Sequence, residues 1–420
     1  MYTTLEHFLK YVKYDTQSRE NADTVPSTPG QWDLAREMKR ELEERGLENV
    51  NITEHAYVTG SIPSNITDRK VPAVGFIAHM DTATEASGKD VKARVERNYD
   101  GGDVILNKDL DIKLSPKDFD FMKNYVGQDL VVTDGTTLLG ADNKAGMAEI
   151  MGMVDYVLAH PEFKHGAIKV AFTPDEEVSE LAKGLDIEKF GADFAYTLDG
   201  GPVGELCYEN FNAASADIKI HGRSVHPGTA KGLMLSAVTL GHELLSMLPA
   251  NETPATTEKY EGYYHCLQFN ADCENATLHF IIRDHDLNKF NARKKFIEKC
   301  VDFMRDKYGA ERFELEIKDQ YYNMADKIKD HMEIVDIALN AMRELNIEPN
   351  IIPMRGGTDG AALTWRGLPT PNLFTGGHNY HGRFEFIPVQ AMELGTSMAL
   401  KILELVAHRA GDAADHSCCA

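Results

Sequence analysis

The chain has 420 residues, of which 43% are hydrophobic and 26% charged, the make-up of a soluble globular protein large enough for two or three domains. Its 44 basic and 66 acidic residues leave a formal net charge of −22, which argues against nucleic acid or an anionic membrane as partner, because both demand a basic surface. No apolar run approaches the roughly 20 residues of a membrane span, and the N-terminal MYTTLEHFLKYVKYD lacks the basic, apolar, small order of a secretory leader.

Six cysteines, at 207, 266, 273, 300, 418 and 419, form no C-x-x-C pair. Neither a thiolate zinc site nor a disulfide framework is indicated, and the chain reads as a reduced, cytoplasmic protein.

Leu5, Phe8, Leu9 and Val12 share one helical face. A second helix is expected over 32–45, with Leu34, Met38 and Leu42 inward and Gly46 placed to stop it. Apolar runs at 71–78, 167–173, 194–198 and 371–374 read as buried strands. Between the first two, LLGADNKAG leads into a helix that carries Met147, Ile150, Met151, Val154, Val157 and Leu158 on one face. Near-continuous apolar strands alternating with helices predict an α/β fold, a mostly parallel mixed sheet covered by helices. A last helix is expected over 389–406.

The stretch 211–322 differs. An alternating strand over 214–221, an amphipathic helix over 229–248, strands at 263–271 and 276–283, a helix over 287–307 and a strand over 312–318 give the order β-α-β-β-α-β. It reads as a domain inserted into a catalytic domain formed by 1–210 and 323–410. The tail 411–420, GDAADHSCCA, has no periodicity and is expected to be disordered. His416, Cys418 and Cys419 could hold a metal ion weakly, but an unstructured end is the preferred reading.

The chemistry follows the strands. His79 and Asp81 come after the first apolar run, Asp142 opens the next helix, and Asp175, Glu176 and Glu177 follow AIKVAFT. Asp199 follows FAYTL, and His378 and His381 follow PNLF. In open α/β sheets ligands bind outside the carboxyl ends of the strands. Taken singly, each residue has an ordinary explanation: Asp142 as a helix cap, Asp199 as a turn residue, a histidine as a satisfied core residue, Glu176-Glu177 as solvated surface. Together, five strand or helix ends delivering carboxylates and imidazoles suit zinc, Co(II) or Mn(II). Two histidines and three carboxylates exceed one tetrahedral zinc with an open position. They suit two metals sharing a carboxylate, with a further carboxylate as general base. No phosphate-binding loop, dinucleotide fingerprint or G-x-S-x-G elbow is present.

VPSTPGQW, FIAHMDT, LLGADNKAG, VAFTPDEEV, YTLDGG, ENFNAAS, VHPGTAKG, IIRDHD, RGGTDGA and NLFTGGHNYHG span nearly the whole chain. In this order they resemble the dinuclear zinc exopeptidases of the aminoacylase and carboxypeptidase type, and among these the aminotripeptidase group, peptidase T. The resemblance implies a catalytic domain with a β-α-β-β-α-β lid of the dimerisation type, two zinc ions per chain with Co(II) or Mn(II) as substitutes, and a possible homodimer. It implies His79 and Asp199 as ligands of one metal, Glu177 and His381 as ligands of the other, and Asp142 as the bridge. Glu176 matches the general base and Asp81 the acid behind the metal-bound histidine. The implied reaction is release of the N-terminal residue of a tripeptide by attack of a water shared by the two zinc ions. His226 matches a lid histidine that donates to the oxyanion. Arg283 and Arg355 are candidates for the peptide's terminal carboxylate, and Asn379 for its free amine.

Two rivals stand beside this expectation. A deacylase of N-acyl amino acids, a dipeptidase or a carboxypeptidase of the same fold would carry identical ligands. A non-catalytic metal-binding scaffold would be marked by loss of a ligand or base, and none is lost.

Overall fold

The computed structural model describes residues 3–417, with side chains through residue 411. Two compact units are present. The first takes in the described residues of Met1–Tyr208, Lys327–Ile351 and Thr358–Ala420, and the second is Glu209–Asp326 with Ile352–Gly357.

The first unit is organised by an eight-stranded sheet. Its spatial order is Glu48–Ile52, Val58–Ile62, Ile168–Thr173, Val74–His79, Phe194–Gly200, Asn372–Phe374, Glu205–Cys207 and Asn350–Ile351. The four strands expected from the apolar runs form its centre and are mutually parallel. Val74–His79 is buried at every residue, as a strand covered on both faces must be, which is why its sequence does not alternate. Helix Ala141–Ala159 packs on this strand, and helices Thr4–Tyr11 and Val389–Ser417 pack on that helix. Parallel registry aligns the strand ends, with His79 opposite Thr173.

Several elements of this unit were not anticipated. Arg94–Glu96, Leu130–Val132 and Phe386–Pro388 make a three-stranded sheet. These are three-residue strands, too short to show periodicity, and they enclose a cluster of Tyr99, Leu106, Leu114, Met122 and Phe386. The last helix continues to Ser417, so the backbone of 411–417 is helical where the sequence suggested disorder. Cys418 and Cys419 lie outside the described residues. Among the described residues no helix is long and apolar enough to cross a membrane.

The second unit is an antiparallel sheet in the order Tyr263–Ala271, Asn275–Asp284, Asn212–His221 and Phe313–Tyr321. Helices Ala237–Leu245 and Leu287–Tyr308 supply Leu240, Leu244, Phe290, Ile297, Val301 and Met304 to its core. This is the expected β-α-β-β-α-β order. The first helix is shorter than the predicted 229–248, because Gly232 is left-handed and Pro227–Thr229 forms a separate 3-10 turn. The unit also takes in 352–357, where the Met354 N–H donates to the Glu209 carbonyl at 2.9 Å.

Helix Ala141–Ala159 carries a buried carboxyl with no hydrogen-bond partner among the described residues, that of Glu149. It fills the space over Gly395, where a Cβ would lie 2.3 Å from the carboxyl group. Burial pushes its pKa well above the usual 4.5. The folded chain therefore holds a proton that the unfolded chain releases above about pH 4.5, and this group makes stability fall as pH rises. Glu149→Gln is expected to raise the thermal unfolding midpoint by several degrees at about pH 8 and to change it little at about pH 4. Melting curves at both pH values check this, and an equal shift at both would contradict it.

Candidate metal centre and active site

The parallel centre of the sheet brings distant residues to one edge. His79 closes Val74–His79. Glu176 and Glu177 lie in the 3-10 turn that follows Ile168–Thr173. Asp199 lies near the end of Phe194–Gly200, and His381 sits in the loop after Asn372–Phe374. Asp142 opens Ala141–Ala159, but its backbone and that of Asn143 are not helical, and the first turn behind them is capped by Asn143, whose Oδ1 accepts the Gly146 N–H at 3.2 Å, not by Asp142. The capping explanation for Asp142 is thereby removed, and its carboxylate is free to face the sheet edge.

Asp142 divides its two oxygens. Its Oδ1 lies 3.0 Å from His79 Nε2 and its Oδ2 3.2 Å from His381 Nε2. His79 Nε2 also lies 3.3 Å from Asp199 Oδ1, and His381 Nε2 lies 3.2 Å from Glu177 Oε2. Two imidazole–carboxylate pairs thus meet at one shared carboxylate, and all five residues assigned as ligands belong to one cluster. On the far side of each ring an oxygen accepts from Nδ1: the Asp81 carbonyl at 3.1 Å from His79 and Glu85 Oε1 at 3.2 Å from His381. Such partners select the tautomer whose Nε2 lone pair faces a metal.

The donor set fits divalent cations. Glu177 Oε1 is buried without a hydrogen-bond partner among the described residues, an orphan that a cation would satisfy. Burial drives Glu177 up to about 8 and raises Asp199. Hydrogen bonds to Asp142 and Glu177 drive His381 up to about 12. For His79, burial works in the opposite direction, yet Asp199, Asp142 and Asp81 hold it well above its ordinary value. Raised acids beside raised imidazoles mean that the cluster lacks positive charge, and metal ions supply it.

Further carboxylates hold the loops that carry these ligands. Asp81 accepts the Glu176 N–H at 3.0 Å on Oδ1 and the Glu177 N–H at 3.1 Å on Oδ2. Asp175, left-handed at φ 57°, accepts from Ser27 N at 2.6 Å, Ser27 Oγ at 2.5 Å and Gln31 Nε2 at 2.6 Å. Glu385, absent from the sequence reading, accepts the N–H groups of Leu139 at 2.7 Å, Gly140 at 2.8 Å and Asp142 at 3.0 Å. Tyr380 donates to the Gly200 carbonyl at 2.9 Å, joining the His381 loop to the Asp199 strand. The only sequence signal for Glu385 is an acid between the aromatic residues Phe384 and Phe386, just before the short strand Phe386–Pro388, which single-residue reasoning passes over.

The remaining candidates have other surroundings. His378 is a buried core residue stacked on Phe121 and Phe386, with Tyr125 Oη 2.6 Å from its Nε2, and burial lowers it to about 4. Asn379 donates its amide to the Phe384 carbonyl at 3.1 Å. His226, Arg283 and Arg355 lie in the second unit. His226 is exposed, and its Nδ1 accepts from Gly228 N. Arg283 donates to the Ala214 and Ile282 carbonyls and lies over the Tyr321 ring. It makes no ion pair with Asp284, which binds Arg293 at 2.7 Å. Arg355 lies over Phe211 and Tyr263 and donates to Thr257, Lys259 and Glu261.

Because Glu385 gathers three N–H groups at the loop of the shared ligand, Glu385→Ala is expected to weaken metal binding about 10–100-fold, the range for partners that orient ligands. Glu385→Gln, which keeps one acceptor oxygen, should lose less. Metal titration of chelator-stripped protein measures both, and unchanged affinity in Glu385→Ala would deny Glu385 this role.

Residues 208–312 match the peptidase dimerisation domain. Peptidase T of Caldanaerobacter subterraneus subsp. tengcongensis is 54% identical over 405 residues, covering 96% of this chain and 99% of that protein. Among solved structures, a tripeptidase from Staphylococcus aureus superposes with a TM-score of 0.76 at 23% identity, over 96% of this chain and 98% of that one. A dinuclear metal binding peptidase of the M20 family from Bacillus subtilis superposes with a TM-score of 0.60 at 12% identity, over 96% and 99%. These last two show the fold, and the identity to curated relatives over nearly the full length shows the family: the chain belongs to the peptidase T family.

Proposed function

We propose that this chain is a metallo-aminopeptidase that releases the N-terminal residue of tripeptides, with zinc as its metal. The observation that carries the reading is the Asp142 carboxylate facing His79 and His381 at once, with Asp199 and Glu177 completing the two sides. His79 and Asp199 would hold one ion, His381 and Glu177 the other, and Asp142 both. Bound there, divalent ions supply Lewis acidity, which brings the pKa of water toward neutrality and polarises a peptide carbonyl. Co(II) and Mn(II) suit the same donors.

Glu176 is the general base. It adjoins the ligand Glu177, and Asp81 fixes the backbone N–H of both. Its carboxylate takes the proton of the attacking water and returns it to the departing amine. His226 would donate to the oxyanion, Arg283 and Arg355 would meet the terminal carboxylate of the peptide, and Asn379 its amine. Arg355 already donates to acceptors of its own unit, so a clamp role there requires a side chain held in place rather than one that swings in. The match to a peptidase dimerisation domain supports a homodimer, and the free thiols of Cys207, Cys266, Cys273 and Cys300 are in keeping with a reducing cytoplasm.

Chelation of the purified enzyme is expected to abolish tripeptide hydrolysis, and metal to restore it. A deacylase, dipeptidase or carboxypeptidase would rank its substrates otherwise, so the reading fails if an N-acetyl amino acid or a dipeptide turns over faster than a tripeptide. Glu176→Gln should retain metal and fold while losing about 10²–10⁴-fold in kcat. Turnover at the wild-type rate would remove Glu176 from the role of base.

A further inference from the structure

A cavity of about 560 Å³ lies in the first unit, away from the metal ligands. Its position in the fold is defined by the strands. Val74 and Phe194 are registry partners that open two parallel strands, and His79 and Asp199 lie toward the other ends of those strands. Pro72, Asp193 and Phe194 line the cavity, so it opens at the amino edge of the sheet, while the metal ligands occupy the carboxyl edge.

The floor is apolar. Phe194, Ile334, Ile337 and Val406 line it and are themselves buried. The rim carries two cations, Lys70 and Arg409. Among the described residues neither has a carboxylate partner. Among the described residues Lys70 is exposed without a polar partner, and Arg409 Nη1 meets only the Glu333 carbonyl, at 3.3 Å. The acids of the rim are engaged: Asp193 Oδ2 accepts the Ala73 N–H at 2.7 Å, and Glu333 lies 3.6 Å from His331 Nδ1. In a chain with net charge −22, two cations without carboxylate partners beside an apolar floor are complementary to a small anion with an apolar body. The volume lies within the roughly 300–1,000 Å³ of small-molecule sites, which combine apolar walls with a few orienting polar groups.

We propose that this cavity binds a small amphiphilic carboxylate, its apolar body against Phe194, Ile334, Ile337 and Val406 and its carboxylate between Lys70 and Arg409. Arg presents a fork that matches a carboxylate, and the charge strengthens the hydrogen bonds. Both a short-chain fatty carboxylate and an apolar amino acid, such as a peptidase releases, carry this chemistry.

The test is calorimetric and ligand-observed NMR binding to the metal-loaded full chain, with hexanoate, leucine, hexanol and hexylamine as probes. Hexanoate or leucine is expected to bind, and which of them binds more tightly identifies the source; hexanol and hexylamine should bind at least about tenfold more weakly. The double variant Lys70→Glu/Arg409→Glu should weaken the carboxylate about tenfold or more while leaving tripeptide turnover unchanged. Ile337→Trp should remove binding by filling the floor. Carboxylate binding that survives the charge variant, or that vanishes on chelation and competes with tripeptide, would place the probe on the metal centre and overturn the proposal. So would equal binding of hexylamine, or no binding by any probe.

Discussion

The Asp142 carboxylate faces two imidazoles, one on each oxygen, and the positions of the other proposed ligands follow from what that requires. A carboxylate can serve two partners only if neither oxygen is spent on its own helix. The backbone leaves helical geometry at Asp142 and Asn143, and the preceding loop surrenders three N–H groups to Glu385 rather than to a capping side chain. The helix behind it, packed on Val74–His79, then carries Asp142 to the strand end where His79 waits. The parallel sheet does the rest, because parallel strands finish at one edge and can pool residues that lie far apart in the chain.

That pooling concentrates negative charge. Asp142, Glu177 and Asp199 gather beside Glu176, with Asp81, Asp175, Asp359 and Glu385 buried nearby. Burial raises Asp359 and Glu385 to about 7. A buried lysine also belongs to this region: Lys144 donates to the Tyr14 carbonyl at 2.7 Å and is lowered to about 8 by burial, while Asp15, Glu385 and Asp81 oppose that shift. Lys144 and the two raised imidazoles of His79 and His381 do not balance so many acids, and the desolvation cost of unpaired carboxylates is large. Metal ions held here would therefore serve the fold at this edge as well as its chemistry.

Much of this was legible in the chain. Apolar strands ending in His79, Asp175-Glu176-Glu177 and Asp199 are local signals, and so is the alternation of 214–221 that marks the second unit. What stayed hidden depends on contacts between distant segments. Glu385 reads as an acid just before a short strand until its donors, the N–H groups of Leu139, Gly140 and Asp142, are seen. Glu85 reads as a loop acid until His381 donates to it. By position alone His378 and His381 are indistinguishable, two histidines after one strand, and only the family resemblance selects His381. The surroundings separate them, since His378 sits between Phe121 and Phe386 while His381 meets carboxylates on both nitrogens. The overlong helix prediction at 229–248 failed because amphipathic spacing continues through a segment that Gly232 and a 3-10 turn break.

The loop of His381 shows how such a site is kept in shape. Asn379 and His381 are both left-handed, at φ 55° and 62°, a conformation that costs a non-glycine residue on the order of 1–2 kcal/mol. The loop is held in that form from several directions. The Asn379 amide closes onto Phe384, Tyr380 reaches the Gly200 carbonyl, and Glu385 grips residues 139–142. The first of these ties closes the loop on itself, and the other two run to the segments of Asp199 and Asp142. Strain at His381 is thus offset by hydrogen bonds that also fix Asp199 and Asp142, so a disturbance of one ligand's loop is passed to the others. Geometry at this edge is a collective property, and the carboxylates that hold backbone amides are as much a part of it as those that face the two imidazoles.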